Sequence, residues 1–328
     1  MINNFESVNF APIVLFAFNR PDHLQQALSA LSQNDEFNSS PLFIYCDGPR
    51  NLDDCQNVEL TRSVANQWSH PNKAVIEAQS NQGLAESVIA GVTQVVQRFG
   101  RVIVLEDDLI VERSFLNFLN RALKKYENDS KVMQVSAYMF PIPEFRGRSE
   151  GLFLPNISSW GWGTWSRAWS FFDRRAANWE LLLGDKAMRR KFDVAGSYPY
   201  SDMLFRQIMG KIDSWAIRWN WSVNQSSGLV LYPPFSLVEN IGFDGSGTHC
   251  GVLDFEGTQL GSKIGPIEFS EEIQVFQNDM TYVEAALKRL SGPIYIRFFK
   301  RVANNLRRIR LKYILKYLGY SSTQKHVR

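Results

Sequence analysis

The sequence predicts an α/β protein with a mostly parallel, Rossmann-like sheet flanked by helices. Three observations carry that reading. Residues 1–140 alternate short apolar runs with amphipathic segments, the pattern of strands joined by crossover helices. The run Val102-Ile103-Val104-Leu105 is continuously apolar, as expected of a strand covered on both faces. Polar turns containing Asn, Asp or Gly follow these runs, at the strand ends where open α/β sheets bind ligands.

The elements follow in order. Pro12 to Phe18 reads as the first strand, and Pro21 to Leu31 as a helix with Pro in its first turn and Leu24, Ala27, Leu28 and Leu31 at helical spacing. Pro41 to Cys46 is the second strand, closed by the turn Asp47-Gly48-Pro49. Leu52 to Trp68 is helical and Ala74 to Ala78 is the third strand. Asn81-Gln82-Gly83 then leads into a helix over Leu84 to Phe99 with Val88, Val92 and Val95/Val96 on one face. Arg101 to Leu105 is the fourth strand, Ser114 to Tyr126 a helix and Lys131 to Ala137 the fifth strand.

The composition shifts after residue 140. Eight of the nine tryptophans lie between Trp160 and Trp221. Most tryptophans are core. Trp160 and Trp162, set among Gly and Ser, read instead as flat faces for a sugar ring, with indole N–H groups that can donate to hydroxyls. Three parts are expected: a nucleotide-binding half over 1–140, a Trp-rich acceptor and catalytic half over 141–290, and a basic tail over 291–328.

In that tail Phe298, Val302, Leu306, Ile309 and Tyr313 form one helical stripe, surrounded by Lys and Arg with no acid after Glu284. A basic amphipathic helix of this kind seeks an anionic membrane surface. The plain alternative is a helix packed on the domain with a solvated basic face. A net charge of +3 gives no support for a nucleic-acid partner. Cys46, Cys55 and Cys250 form no zinc spacing and fit a reducing compartment. The N-terminal apolar run is short and has no basic segment before it. The expected location is therefore cytoplasmic, peripheral on the inner face of the cytoplasmic membrane.

Glu106-Asp107-Asp108, directly after the fourth strand, is the most informative segment. Like charges held together raise one another's pKa and cost stability. A hard divalent cation such as Mn2+ or Mg2+ relieves that cost with oxygen ligands. The alternative is an acidic loop or helix N-terminus. Three further pieces fall at the same strand ends: Phe18-Asn19-Arg20-Pro21, Cys46-Asp47-Gly48-Pro49 and Asn81-Gln82-Gly83-Leu84. Each could be a turn or a helix start. Together they mark one ligand-binding edge.

These residues resemble the GT-A glycosyltransferases, and within them animal N-acetylglucosaminyltransferase I and its bacterial relatives. The resemblance runs from Ile13 to His249 and is most specific at Val102–Leu109, Ser114-Phe115-Leu116 and Val135-Ser136-Ala137. It implies a GT-A fold and metal-dependent, inverting transfer from a nucleotide-sugar, with UDP the expected carrier, to a glycan or lipid-linked glycan. It places Arg20 near the nucleotide, Asp47 on the uracil ring, Asp107 on the ribose or metal side, Asp108 as direct metal ligand and Glu106 on the sugar side. Phe18, Asn19, Asn81 and Gly83 complete the donor edge.

Ile212-Asp213-Ser214-Trp215 is similar to a family segment whose first Asp is the catalytic base, although Ile212 and Ser214 depart from it. Asp213 takes that position. Asp202 is the fallback, and each acid could equally be a helix cap. Ser236, Gly242 and His249 fall in a stretch that borders the diphosphate in the family, with His249 a metal ligand or diphosphate donor. Gly247-Thr248-His249-Cys250 departs from that pattern. Two other classes share parts of this description. A sugar nucleotidyltransferase normally carries a Gly-rich first loop, which Phe16-Ala17-Phe18-Asn19-Arg20 lacks. A catalytically dead binding protein has no need of the acidic triplet.

Overall fold

A computed structural model provides the structure, described for residues 9–243, 265–291 and 311. In chain order the elements are β1 (Ile13–Ala17), α1 (Pro21–Leu31), β2 (Leu42–Cys46), α2 (Cys55–Gln67), β3 (Lys73–Glu77), α3 (Leu84–Phe99), β4 (Arg101–Glu106), β5 (Leu109–Val111) and α4 (Phe115–Lys125). There follow β6 (Val132–Ser136), β7 (Leu152–Leu154), β8 (Trp162–Trp165), α5 (Ser166–Trp169), α6 (Leu181–Gly184), α7 (Lys186–Phe192), α8 (Tyr200–Ile208), α9 (Trp215–Gln225), β9 (Leu229–Tyr232), β10 (Val238–Asn240) and α10 (Gln277–Leu290).

The main sheet has eight strands in the order β3-β2-β1-β4-β8-β6-β9-β7. Its first four strands are parallel, with Ile13 opposite both Leu42 and Ile103, and Leu42 opposite Lys73. Right-handed crossovers require helices on the sheet faces. The sequence supplies them: α1 buries Leu24, Ala27, Leu28 and Leu31, and α3 buries Val88, Val92, Val95 and Val96. Ile13, Val14, Leu15, Ile103 and Leu105 are completely buried between the layers. Each such side chain contributes about 1.5–3 kcal/mol of burial.

Beyond β4 the sheet is mixed. β8 runs antiparallel between β4 and β6, β6 pairs parallel with β9, and β7 closes the edge antiparallel to β9. Strands from both expected halves therefore share one sheet. The expected fifth strand, β6, is separated from β4 by a segment read as a Gly/Ser-flanked ligand platform. Close packing explains the difference. A Cβ on Gly163 would meet Leu123 and the Val102 carbonyl at 3.1 and 3.2 Å, so glycine lets β8 lie tight between its neighbours. Gly161, at φ +60, turns the chain into the strand.

A second, smaller core joins Trp179, Leu182, Leu183, Phe192, Phe205, Ile217 and Trp221, and Leu311 packs into it. At Leu311 the chain is helical and buried on the domain. The apolar stripe from Phe298 to Tyr313 lies outside the described residues. No described helix is long and apolar enough to cross a membrane.

Candidate functional site

The parallel strands β1, β2, β3 and β4 bring Asn19-Arg20, Asp47, Asn81–Gly83 and the acidic triplet to one edge of the sheet. At its centre β1 and β4 are neighbours, with Phe16 opposite Glu106. Arg20 stands immediately before α1, whose Pro21 needs no backbone donor at the helix start. Its guanidinium therefore reaches across to the end of β4.

There it pairs with Asp107 in a very close contact and with Asp108 Oδ2 at 3.1 Å. Asp107 also accepts from the Phe18 backbone N–H through Oδ2 at 3.2 Å. Both oxygens of Asp107 thus brace the end of β1. Burial pushes the Asp107 carboxyl up to about 6 against the opposing pull of Arg20. Burial, then the charges of Asp108 and Asp107, push Glu106 up to about 8. Burial alone would lower the pKa of Arg20, but Asp107 and Asp108 outweigh it and hold the guanidinium firmly charged.

Asp108 differs from its neighbours. Its Oδ1 is buried and has no hydrogen-bond partner among the described residues. A buried carboxylate oxygen in that state is costly unless something binds it. The Glu106 side chain, on a half-buried residue, makes no hydrogen bond or ion pair among the described residues. These hard oxygens suit a small divalent cation. Among the described residues no group of three or more His, Cys, Asp or Glu side chains is arranged to hold one. His249 lies outside the described residues.

The sequence reading missed the short pair that completes this wall. β5 follows the triplet at once and pairs antiparallel with β10, placing Leu109 opposite Asn240. The Ile241 N–H donates to the Asp108 carbonyl at 2.9 Å. Asn240 turns back to accept from the Gly242 N–H at 2.7 Å. Gly242 consequently abuts the Asp108 carboxylate.

Asp47 takes a role other than the expected one. Its Oδ1 accepts from the N–H groups of Gly48 and Gln82, both at 2.8 Å. Its Oδ2 accepts from Asn81 Nδ2 at 3.1 Å and the Gly83 N–H at 3.0 Å. A carboxylate offers about four lone-pair positions. All are filled within the protein, leaving none for a uracil N–H. Asp47 instead ties the end of β2 to the loop that starts α3. Asn81 serves the same loop, donating also to the Gly48 carbonyl at 2.9 Å.

Two further residues had gone unnoticed. Arg50 forks onto Asp54 at 2.8 and 2.9 Å, and Asn19 Nδ2 donates to Asp54 Oδ1 at 2.9 Å. The Arg50 guanidinium also lies 4.9 Å from the Phe18 ring centre. Phe18, Asn19, Arg50 and Asp54 are therefore one cluster beside Arg20. The i,i+4 spacing of Arg50 and Asp54 after the Asp47-Gly48-Pro49 turn was the available signal.

The remaining expected residues are dispersed. Trp160 is half-buried, meeting Tyr138 edge-on at 4.6 Å and Phe243 at 5.7 Å. Trp162 is fully buried and stacks on Trp215 at 5.0 Å, so it is core and offers no face to a sugar. Its strand position carries the ring inward. Asp202 is buried in the first turn of α8. Asp213 is exposed and pairs with Arg218 at 2.9 Å. The α9 cap is Ser214, whose Oγ accepts from the Ile217 N–H. Among the described residues no hydrogen bond or ion pair joins Asp213 to the triplet.

No protein-family model matches this chain, and no curated protein is significantly similar to it.

Proposed function

We propose that the protein is a glycosyltransferase that moves a sugar from a nucleotide-sugar to a glycan or lipid-linked glycan. The observation that carries this reading is the buried, unpartnered Asp108 Oδ1 at the C-terminal edge of a β3-β2-β1-β4 parallel sheet. Three other features support it: the Arg20 guanidinium beside Asp107 and Asp108, the Asp47-braced loop before α3, and Gly242 against Asp108.

In this reading Asp108 and Glu106 would hold Mn2+ or Mg2+, and the bound ion would supply Lewis-acid neutralisation of the charge on the leaving diphosphate. Arg20 pairs with Asp107 and Asp108 and holds both carboxylates in place. The backbone N–H groups of Gln82 and Gly83, just before α3, are occupied by Asp47, so these two groups shape the nucleotide edge without donating to a phosphate. An acceptor hydroxyl attacks the anomeric carbon as the bond to the nucleoside diphosphate breaks, and a carboxylate takes the hydroxyl proton. Asp213 is the base that the resemblance assigns. Its Oδ1 is held by Arg218, leaving Oδ2 to accept a proton. Configuration inverts, because one displacement occurs at one carbon.

The test is incubation with UDP-, GDP-, dTDP- and CMP-sugars and Mn2+. Release of nucleoside diphosphate, or of monophosphate from the CMP donor, supports the proposal. Pyrophosphate chemistry would point to a nucleotidyltransferase, and no turnover with any donor would count against an enzyme of either kind.

A further inference from the structure

α6 and α7 supply much of the second, smaller core and take no part in the chemistry above. Leu182, Leu183 and Phe192 are buried in that core, and Met188 packs against it. Met188 and Phe192 stand at i,i+4 spacing, so they set the inward side of α7. The other side carries Lys186, Arg190 and Lys191, all exposed. These three cations make no hydrogen bond or ion pair among the described residues. Arg189 differs, because its guanidinium donates to the Leu182 carbonyl.

α7 has no acid of its own, and the two acids that flank it are spent within the fold. Asp185 Oδ1 accepts from the N–H groups of Ala187 and Met188 at 2.8 and 2.9 Å. Asp193 accepts from the Ser201 N–H and Oγ at 2.7 and 2.8 Å. Leu181 stands one turn before α7, its carbonyl accepting from the Asp185 N–H at 2.9 Å, and the residue is 45% exposed. A single exposed leucine is ordinary by itself. Here it adjoins positive charge that the fold leaves uncompensated. Leu311 packs into the same small core, and in the sequence it stands within Arg307-Arg308-Ile309-Arg310-Leu311-Lys312.

We propose that α6 and α7 form a docking face for an anionic lipid bilayer, in addition to any contribution of the tail. Lys186, Arg190 and Lys191 meet the lipid phosphates, and Leu181 enters the headgroup boundary. Charge complementarity supplies the attraction, and interfacial binding grows with apolar burial and with each basic residue near the surface. A soluble polyanion would use the charges and have no place for Leu181. The packing of Leu311 brings a second basic stretch of the sequence to the same module. The face is independent of the glycosyltransferase reading, so either can fail alone.

The test is co-sedimentation of the full chain at low ionic strength with vesicles of phosphatidylcholine, alone or mixed equally with phosphatidylglycerol. The native chain should bind the mixed vesicles and leave the neutral ones. Lys186→Gln with Arg190→Gln and Lys191→Gln should partition about a hundredfold more weakly, about fivefold per charge. Leu181→Ser should lose about fivefold. All four side chains are exposed, so melting temperatures should hold, and Lys186→Arg with Lys191→Arg, which keeps the charge, should bind as the native chain does. Equal partitioning by the triple variant overturns the face and leaves any binding to the tail. Equal partitioning by Leu181→Ser, or capture of single-stranded RNA through the three cations without vesicle binding, overturns the bilayer in favour of a soluble polyanion.

Discussion

Gly242 lies against the Asp108 carboxylate, where a Cβ would stand 2.5 Å from Oδ2 and 3.1 Å from an Arg20 guanidinium nitrogen. The β5–β10 pair, the Ile241-to-Asp108 backbone bond and the Asn240 side chain produce this approach. Gly242→Ala must displace either the carboxylate or the chain after β10. Overpacking of this kind costs about 1–3 kcal/mol. The expected outcome is weaker Mn2+-dependent donor binding with a modest fall in melting temperature. Donor binding equal to that of the native chain would show that the close approach has no part in the site.

Arg20 carries the positive charge that faces Asp107 and Asp108, and its side chain is 17% exposed. Arg20→Met leaves two buried carboxylates without that partner. Breaking a pair so sheltered costs about 3–5 kcal/mol. Urea unfolding should register a loss of that order, partly restored by millimolar Mn2+, which replaces the missing charge. Restoration by equal ionic strength of NaCl would trace the effect to general screening and not to a cation site.

Asp54 is held well below the usual carboxylate range, at about 2, chiefly by hydrogen bonds from Arg50 and despite the opposing effect of burial. A depressed folded-state pKa adds stability that is fully present above the unfolded value, about 4 for Asp. That contribution disappears as pH falls from about 4 through about 2. Thermal melts from pH 5 to pH 2 should show Asp54→Asn losing less stability across this window than the native chain. Parallel curves would place the acid sensitivity elsewhere.

Gln134 is fully buried on β6 and serves two partners, accepting from Trp219 Nε1 and donating to the Ser158 carbonyl, both at 2.7 Å. It thereby anchors the segment that carries Trp160 to α9. Gln134→Leu strands both partners, at about 1–3 kcal/mol each. A loss of about 2 kcal/mol or more by urea titration is expected. An unchanged midpoint would mean that water or another side chain replaces the amide.

Much of this organisation is legible in the chain. α1 over Pro21–Leu31 and α3 over Leu84–Phe99 match the expected bounds, because Pro21 and Gly100 mark their ends and an apolar stripe runs between. β1, β2, β3 and β4 are short runs with apolar centres bounded by polar turns, so their strand ends were locatable. β5 and β10 have three residues each and no period to detect; only their pairing reveals Gly242. Trp162 misleads in sequence because its neighbours are small. Those small residues serve strand packing, and the ring goes inward. Asp47 looks like a ligand residue for a related reason. A turn carboxylate can bind a base or its own loop, and only the four hydrogen bonds distinguish them.

The central claim is that Asp108 anchors a divalent cation for a nucleotide-sugar. Calorimetry of UDP-sugar binding, with Mn2+ and then with EDTA, compares the native chain with Asp108→Asn most directly. The account predicts binding by the native chain only with Mn2+, and its loss in Asp108→Asn while the melting temperature is kept. Metal-independent binding, or Mn2+-dependent binding that Asp108→Asn leaves intact, would contradict it.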